Sequence, residues 1–159
     1  MKLKALLTLA FASLCSWQDA WADDVVANVT LKEKNSLSTE ILALSGIDDV
    51  KTVTHLTVTT NPGVQLGDED WTTLKSMVSL VDLDLSQASA VAVPERQFDS
   101  FGNLVTVKLP QDLTAIGSSA FQSVRTLVTV EVPSTVTSIG GIAFSSCGNL
   151  EYCDLSACR

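Results

Sequence analysis

His55 is the only histidine in the sequence. An imidazole serves as a general base when an activated serine and an orienting aspartate stand beside it. Serines are plentiful, but the G-x-S-x-G turn that presents a nucleophile does not occur. Neither a Walker loop nor a G-x-G-x-x-G phosphate cradle is present, and Gly140-Gly141 reads as a turn. His55 therefore reads as a surface histidine. The chain reads as a non-enzyme that calls for no cofactor.

The acids and thiols point the same way. Asp82 and Asp84 form a D-x-D pair, and period two along a strand puts both carboxylates on one face. Such a pair could do acid/base work or share a divalent cation, but no further oxygen ligands are specified nearby. The plainer reading is that they fill the two exposed positions of a strand. Asp68-Glu69-Asp70 lacks the order of a calcium loop. It suits the N-terminus of a helix beginning near Trp71, where acids are favoured. Cys147, Cys153 and Cys158 are spaced by six and five positions. Structural zinc wants four ligands, usually as close C-x-x-C pairs. Cys147 and Cys153 read instead as small hydrophobic core residues, and Cys158 as a loose thiol.

The chain has 159 residues, 46% hydrophobic, enough for one domain with a core. Its formal net charge of -8 repels phosphate backbones and anionic lipid heads, which disfavours nucleic-acid and membrane-surface roles. Lys2 and Lys4 precede an apolar stretch, Ala5 to Leu14, that is too short to span a bilayer. Ala20-Trp21-Ala22 then offers small residues at the positions a signal peptidase reads. Residues 1–22 are expected to be a signal peptide cleaved before Asp23, with acylation at Cys15 as the second route. Beyond Ala22 no apolar run is long enough for a membrane span. The mature chain is expected to be secreted or on the cell surface, without membrane insertion.

What must position these side chains is a repeat. Val105 to Leu127 reads VTVKLPQDLTAIGSSAFQSVRTL, and Val128 to Leu150 reads VTVEVPSTVTSIGGIAFSSCGNL, 23 residues each. Val107 and Leu109 match Val130 and Val132, alternating with polar neighbours as in a strand buried on one face. Pro110 and Pro133 end those strands. Leu113, Ile116, Ala120, Phe121 and Leu127 match Val136, Ile139, Ala143, Phe144 and Leu150. Gly117 and Gly140 sit where the chain is expected to turn into a short helical piece. The register extends up through residues 81–104 and 54–80, with Leu83/Leu85 and Leu56/Val58 as strand pairs, and down into a partial copy at 151–159. Residues 23–53 read as a cap, with a strand at Val25, Ala27, Val29 and Leu31, and a helix over Ser36 to Ser45.

A 20–29-residue period with an L-x-x-L-x-L strand is the leucine-rich-repeat pattern. The expected fold is an α/β solenoid of about four and a half coils, with a parallel sheet on the concave face and short helices outside. The final coil stops after its strand at Arg159. The expectation is a truncated C-terminus whose open edge favours self-association.

VPSTVTSIGGIAFSSCGNL, as written here, resembles the BspA-like leucine-rich repeat of bacterial surface proteins. That resemblance implies an exported or cell-surface protein that binds host molecules, matrix or other cells. Val124 departs from it, replacing the usual small or cysteine residue, and the first repeat is degenerate. Each strand should display a polar pair on the concave face: His55/Thr57, Asp82/Asp84, Thr106/Lys108, Thr129/Glu131 and Tyr152/Asp154. Such a face is expected to bind a protein or glycan partner. The alternative is a non-catalytic spacer, or a targeting arm for a domain beyond residue 159.

Overall fold

A computed structural model describes residues 24–153. The segment 1–22 expected to be a signal peptide, with Cys15, and Asp154, Leu155 and Cys158, lie outside the described residues. Six strands form one parallel sheet: β1 (Val26–Leu31), β2 (His55–Thr60), β3 (Asp82–Gln87), then Thr106–Lys108, Thr129–Glu131 and Tyr152–Cys153. Between them fall α1 (Leu37–Leu42), a 3-10 turn (Val50–Thr52) and α2 (Asp68–Ser76). Three two-residue strands form a second parallel sheet: β4 (Ala92–Val93), β6 (Ala115–Ile116) and β8 (Ser138–Ile139). In chain order the last three strands of the large sheet are therefore β5, β7 and β9. All registers are parallel, so each strand sits beside its counterpart one coil away.

The alternation expected from period two is realised. Ala27, Leu56, Leu83, Val107 and Val130 stand in one register row and are buried, and partly buried Cys153 continues it. Phe98, Phe121 and Phe144 stack one above another, with centroids 5.1 and 5.2 Å apart. Phe98 and Phe121 are fully buried; Phe144 is half-buried. Leu104, Leu127 and Val124 close the same core. Burying each of the two fully buried rings contributes about 1.5–3 kcal/mol.

The outer side follows expectation in part. Among the described residues, short α-helices occur at α1 and α2, as expected, and from the third coil on turns and the small second sheet take their place. The reason is local. Arg96, Ser119 and Ile142 have φ of 53, 56 and 55°, and Ser100, Ser123 and Ser146 have 62, 60 and 62°. Two left-handed residues per coil, 23 positions apart from coil to coil, interrupt any right-handed helix. The released backbone groups bond between coils instead: Phe98 N donates to Ala120 O at 2.7 Å and Phe121 N to Ala143 O at 2.8 Å. Gly117 and Gly140 are not turn glycines of positive φ. They are sites of close approach: a Cβ on Gly117 would lie 2.6 Å from Glu95 N, and one on Gly140 would collide with the backbone of Ser118.

The cap also departs in detail. α1 is shorter than Ser36 to Ser45, and the Ser36 hydroxyl donates to Glu33 O at 2.9 Å rather than capping the helix. Asp70 does that work. It is 1% exposed, and its carboxylate accepts from Asn35 N (2.8 Å), Leu37 N (2.9 Å) and Gly67 N (2.8 Å). One acid thereby satisfies orphan donors at the N-termini of both α1 and α2. α2 starts at Asp68 rather than Trp71, placing all three acids in its first turn.

Candidate functional site

The outward-facing positions of the large sheet, most of them half-buried, line up in two rows. One runs Val26, His55, Asp82, Thr106, Thr129, Tyr152; the other runs Asn28, Thr57, Asp84, Lys108, Glu131. The structure thus brings together every predicted face residue except Asp154, which lies outside the described residues. Val26 and Asn28 extend the rows into the cap strand. The alternation at Val25 to Leu31 carried that signal, but no coil-length repeat marked it as part of the array.

The charged members are tied across strands rather than along them. His55 Nε2 lies 2.9 Å from Asp82 Oδ2, and Lys108 Nζ lies 3.3 Å from Asp84 Oδ2. The D-x-D carboxylates therefore each face a cation-forming neighbour on the adjacent strand. Asp84 also accepts from Ser86 N at 2.9 Å, where the β2–β3 register slips by one residue. Burial pushes the Asp84 carboxyl up. Hydrogen bonds from Ser86 and Lys108, with the Lys108 charge, outweigh that and hold it below its ordinary value. A depression of about 310 Å³ lies over these groups, lined by His55, Thr57, Asp82, Asp84, Thr106 and Lys108.

His55 has a second contact that sequence reasoning missed. Its Nδ1 lies 3.0 Å from Thr54 Oγ1, giving a hydroxyl–imidazole–carboxylate chain through Thr54, His55 and Asp82. A nucleophilic hydroxyl must keep a lone pair for substrate and give its proton to the imidazole. Thr54 Oγ1 instead accepts from Val25 N at 3.0 Å and lies 3.3 Å from Val25 O. The hydroxyl is occupied by backbone, and the chain pins the start of β1 to β2. Among the described residues no group of three or more His, Cys, Asp or Glu could hold a metal ion.

Cys147 and Cys153 are half-buried and pack against the core. Cys147 Sγ lies 2.9 Å from Phe121 O, as a donor to that carbonyl. Burial pushes its thiol up in pKa, against a smaller opposite effect of its backbone hydrogen bond with Val124.

Parallel coils in register, a buried leucine-type row and stacked phenylalanines agree with a comparison against family models. The BspA type leucine rich repeat region (6 copies) matches residues 75–158. The chain belongs to this family. No curated protein matches it. In this BspA-type solenoid the matched segment begins near the end of α2, so β1, α1, the 3-10 turn, β2 and most of α2 lie ahead of it. Among the described residues, no helix is long and apolar enough to cross a membrane.

Proposed function

We propose that this BspA-type chain is a secreted or cell-surface binding module that recognises a protein or glycan partner through the two-row strand face. The registration of the rows supports this most directly. Side chains at equivalent positions are held one coil apart on hydrogen-bonded backbone, so a partner meets an array that is already ordered. Little conformational freedom is lost on contact, which lowers the free-energy cost of binding. The face mixes both signs of charge with threonines and a tyrosine, which suits a polar macromolecular surface rather than a small apolar ligand.

The test is a combined replacement of Asp82, Asp84, Lys108 and Glu131 by Ser, with adhesion to matrix proteins and cells as the readout. Adhesion should be lost while the fold persists, because the side chains face outward and solvent-screened ion pairs such as theirs contribute about 1 kcal/mol or less each. Phe121→Ala serves as the contrasting control: it should lose about 3–5 kcal/mol of stability and lose binding only through unfolding. Adhesion equal to the parent in the four-residue variant would show that the strand face is not the site and would favour a spacer or a targeting arm for a domain beyond residue 159.

A further inference from the structure

We propose that the depression between β7 and β9 captures the lysine or arginine side chain of a partner protein, with Glu131 pairing its charge and Tyr152 offering its ring. This deepens, and rests on, the reading of the strand face as a binding surface. The depression holds about 460 Å³ and is lined by Gln111, Thr129, Glu131, Pro133, Ser134 and Tyr152 among others.

Three observations carry it. Lys108 stands in the row between Asp84 and Glu131, its Cα register partners on either side. Its Nζ pairs with Asp84 at 3.3 Å, and among the described residues no cation lies within ion-pair distance of Glu131. The acids of β3 are thus matched to cations on neighbouring strands, while the exposed acid of β7 is not. Next, Tyr152 is 55% exposed and sits beside Thr129 in register, two positions from Glu131 along the same face. An exposed aromatic ring next to an unmatched carboxylate is complementary to an ammonium or guanidinium group, which gains from both. Finally, the chain carries a formal net charge of -8, so a basic segment is drawn toward it from a distance. Gln111, Thr129 and Ser134 add acceptors for the remaining N–H groups of the cation.

The experiment measures binding of an octalysine peptide, and of the same peptide with every lysine acetylated, to the full chain by fluorescence anisotropy. The unmodified peptide should bind and the acetylated one should not. Glu131→Gln and Tyr152→Leu should each weaken capture by about fivefold, the worth of one exposed charge or ring contact. Glu33→Gln makes the same charge change at an exposed position in the cap and should weaken it by less than about twofold, since distant charges are screened. Equal effects of Glu131→Gln and Glu33→Gln, or equal binding of the acetylated peptide, would overturn the proposal. So would binding of a neutral chitooligosaccharide that is lost in Tyr152→Leu and kept in Glu131→Gln, which would make the occupant a glycan. Peptide capture that fails while the four-residue variant still loses adhesion would remove this inference alone and leave the strand-face reading standing.

Discussion

Replacing Asp70 by Ala should detach the cap before it disturbs the rest of the solenoid. The carboxylate is 1% exposed and accepts three backbone N–H groups, two of them on the buried residues Leu37 and Gly67. Leaving a buried donor without a partner costs about 1–3 kcal/mol, so the two buried donors and the half-buried Asn35 N–H together lose several. Part of this is offset because a desolvated carboxylate is also removed. The expected net loss is about 3 kcal/mol, comparable to removing one partner of a buried charged contact. With a urea dependence of about 1–3 kcal/mol/M, the unfolding midpoint should fall by at least about 1 M. Asp70→Asn should lose less, because one acceptor oxygen survives while the amide group faces donors. Far-UV circular dichroism in urea gives the midpoint. Hydrogen exchange at Leu37 and Val130 shows where the loss sits: Leu37 should exchange faster in the variant and Val130 should not. A midpoint within about 0.3 M of the parent, with the Leu37 amide still protected, would refute the assignment of Asp70 as the acid that caps both helices.

Other perturbations test other joints. Gly117→Ala should lose about 2 kcal/mol by forcing the backbones of two coils apart, while Gly148→Ala, whose Cβ would meet nothing within 4 Å, should be nearly neutral in the same denaturation assay. Ile142→Asn should gain about 1 kcal/mol, because a β-branched residue at φ 55° is strained and its side chain is 60% exposed. Asp84 has a folded pKa held below its unfolded value, so it contributes stability above the ordinary aspartate range that is lost as pH falls through the lowered value. Midpoints measured against pH should therefore fall less steeply on the acid side for Asp84→Asn than for the parent.

The parallel sheet and its two faces were legible because strands of three residues or more carry the alternation of buried and exposed side chains. The phenylalanine row was legible because Phe121 and Phe144 hold one core position 23 residues apart. The second sheet was not: Ala92–Val93, Ala115–Ile116 and Ser138–Ile139 are two residues long, too short to show any period. Nor was the loss of the outer helices. The left-handed positions carry Arg, Ser and Ile rather than Gly, so nothing in their composition announces a break. The repeat of Gly117 and Gly140 was visible, but its cause, a neighbouring backbone, exists only once the coils are stacked. Asp70 read correctly as an acid at a helix start. Its partners at Asn35 and Leu37 lie 35 and 33 residues away, beyond the reach of any local pattern. On the face, the exposed pairs followed from alternation alone. The preference of Lys108 for Asp84 over Glu131 is a matter of distance, and no spacing rule supplies it.

The coil-to-coil bonds have a mechanical consequence. The hydrogen bonds of both sheets, and part of those in the outer turns, run from one coil to the next, as between the strands that carry Ala27, Leu56 and Leu83 and from Phe98 to Ala120. A pull applied along the stacking direction loads one coil interface as a unit and the interfaces in series. The weakest interface then opens first, and the others follow one after another instead of failing together. Each 23-residue coil that opens adds about 80 Å of extended chain, at about 3.5 Å per residue. Under flow or traction the solenoid would lengthen in steps of that size and take up strain that a single rigid domain would pass on to its attachment point.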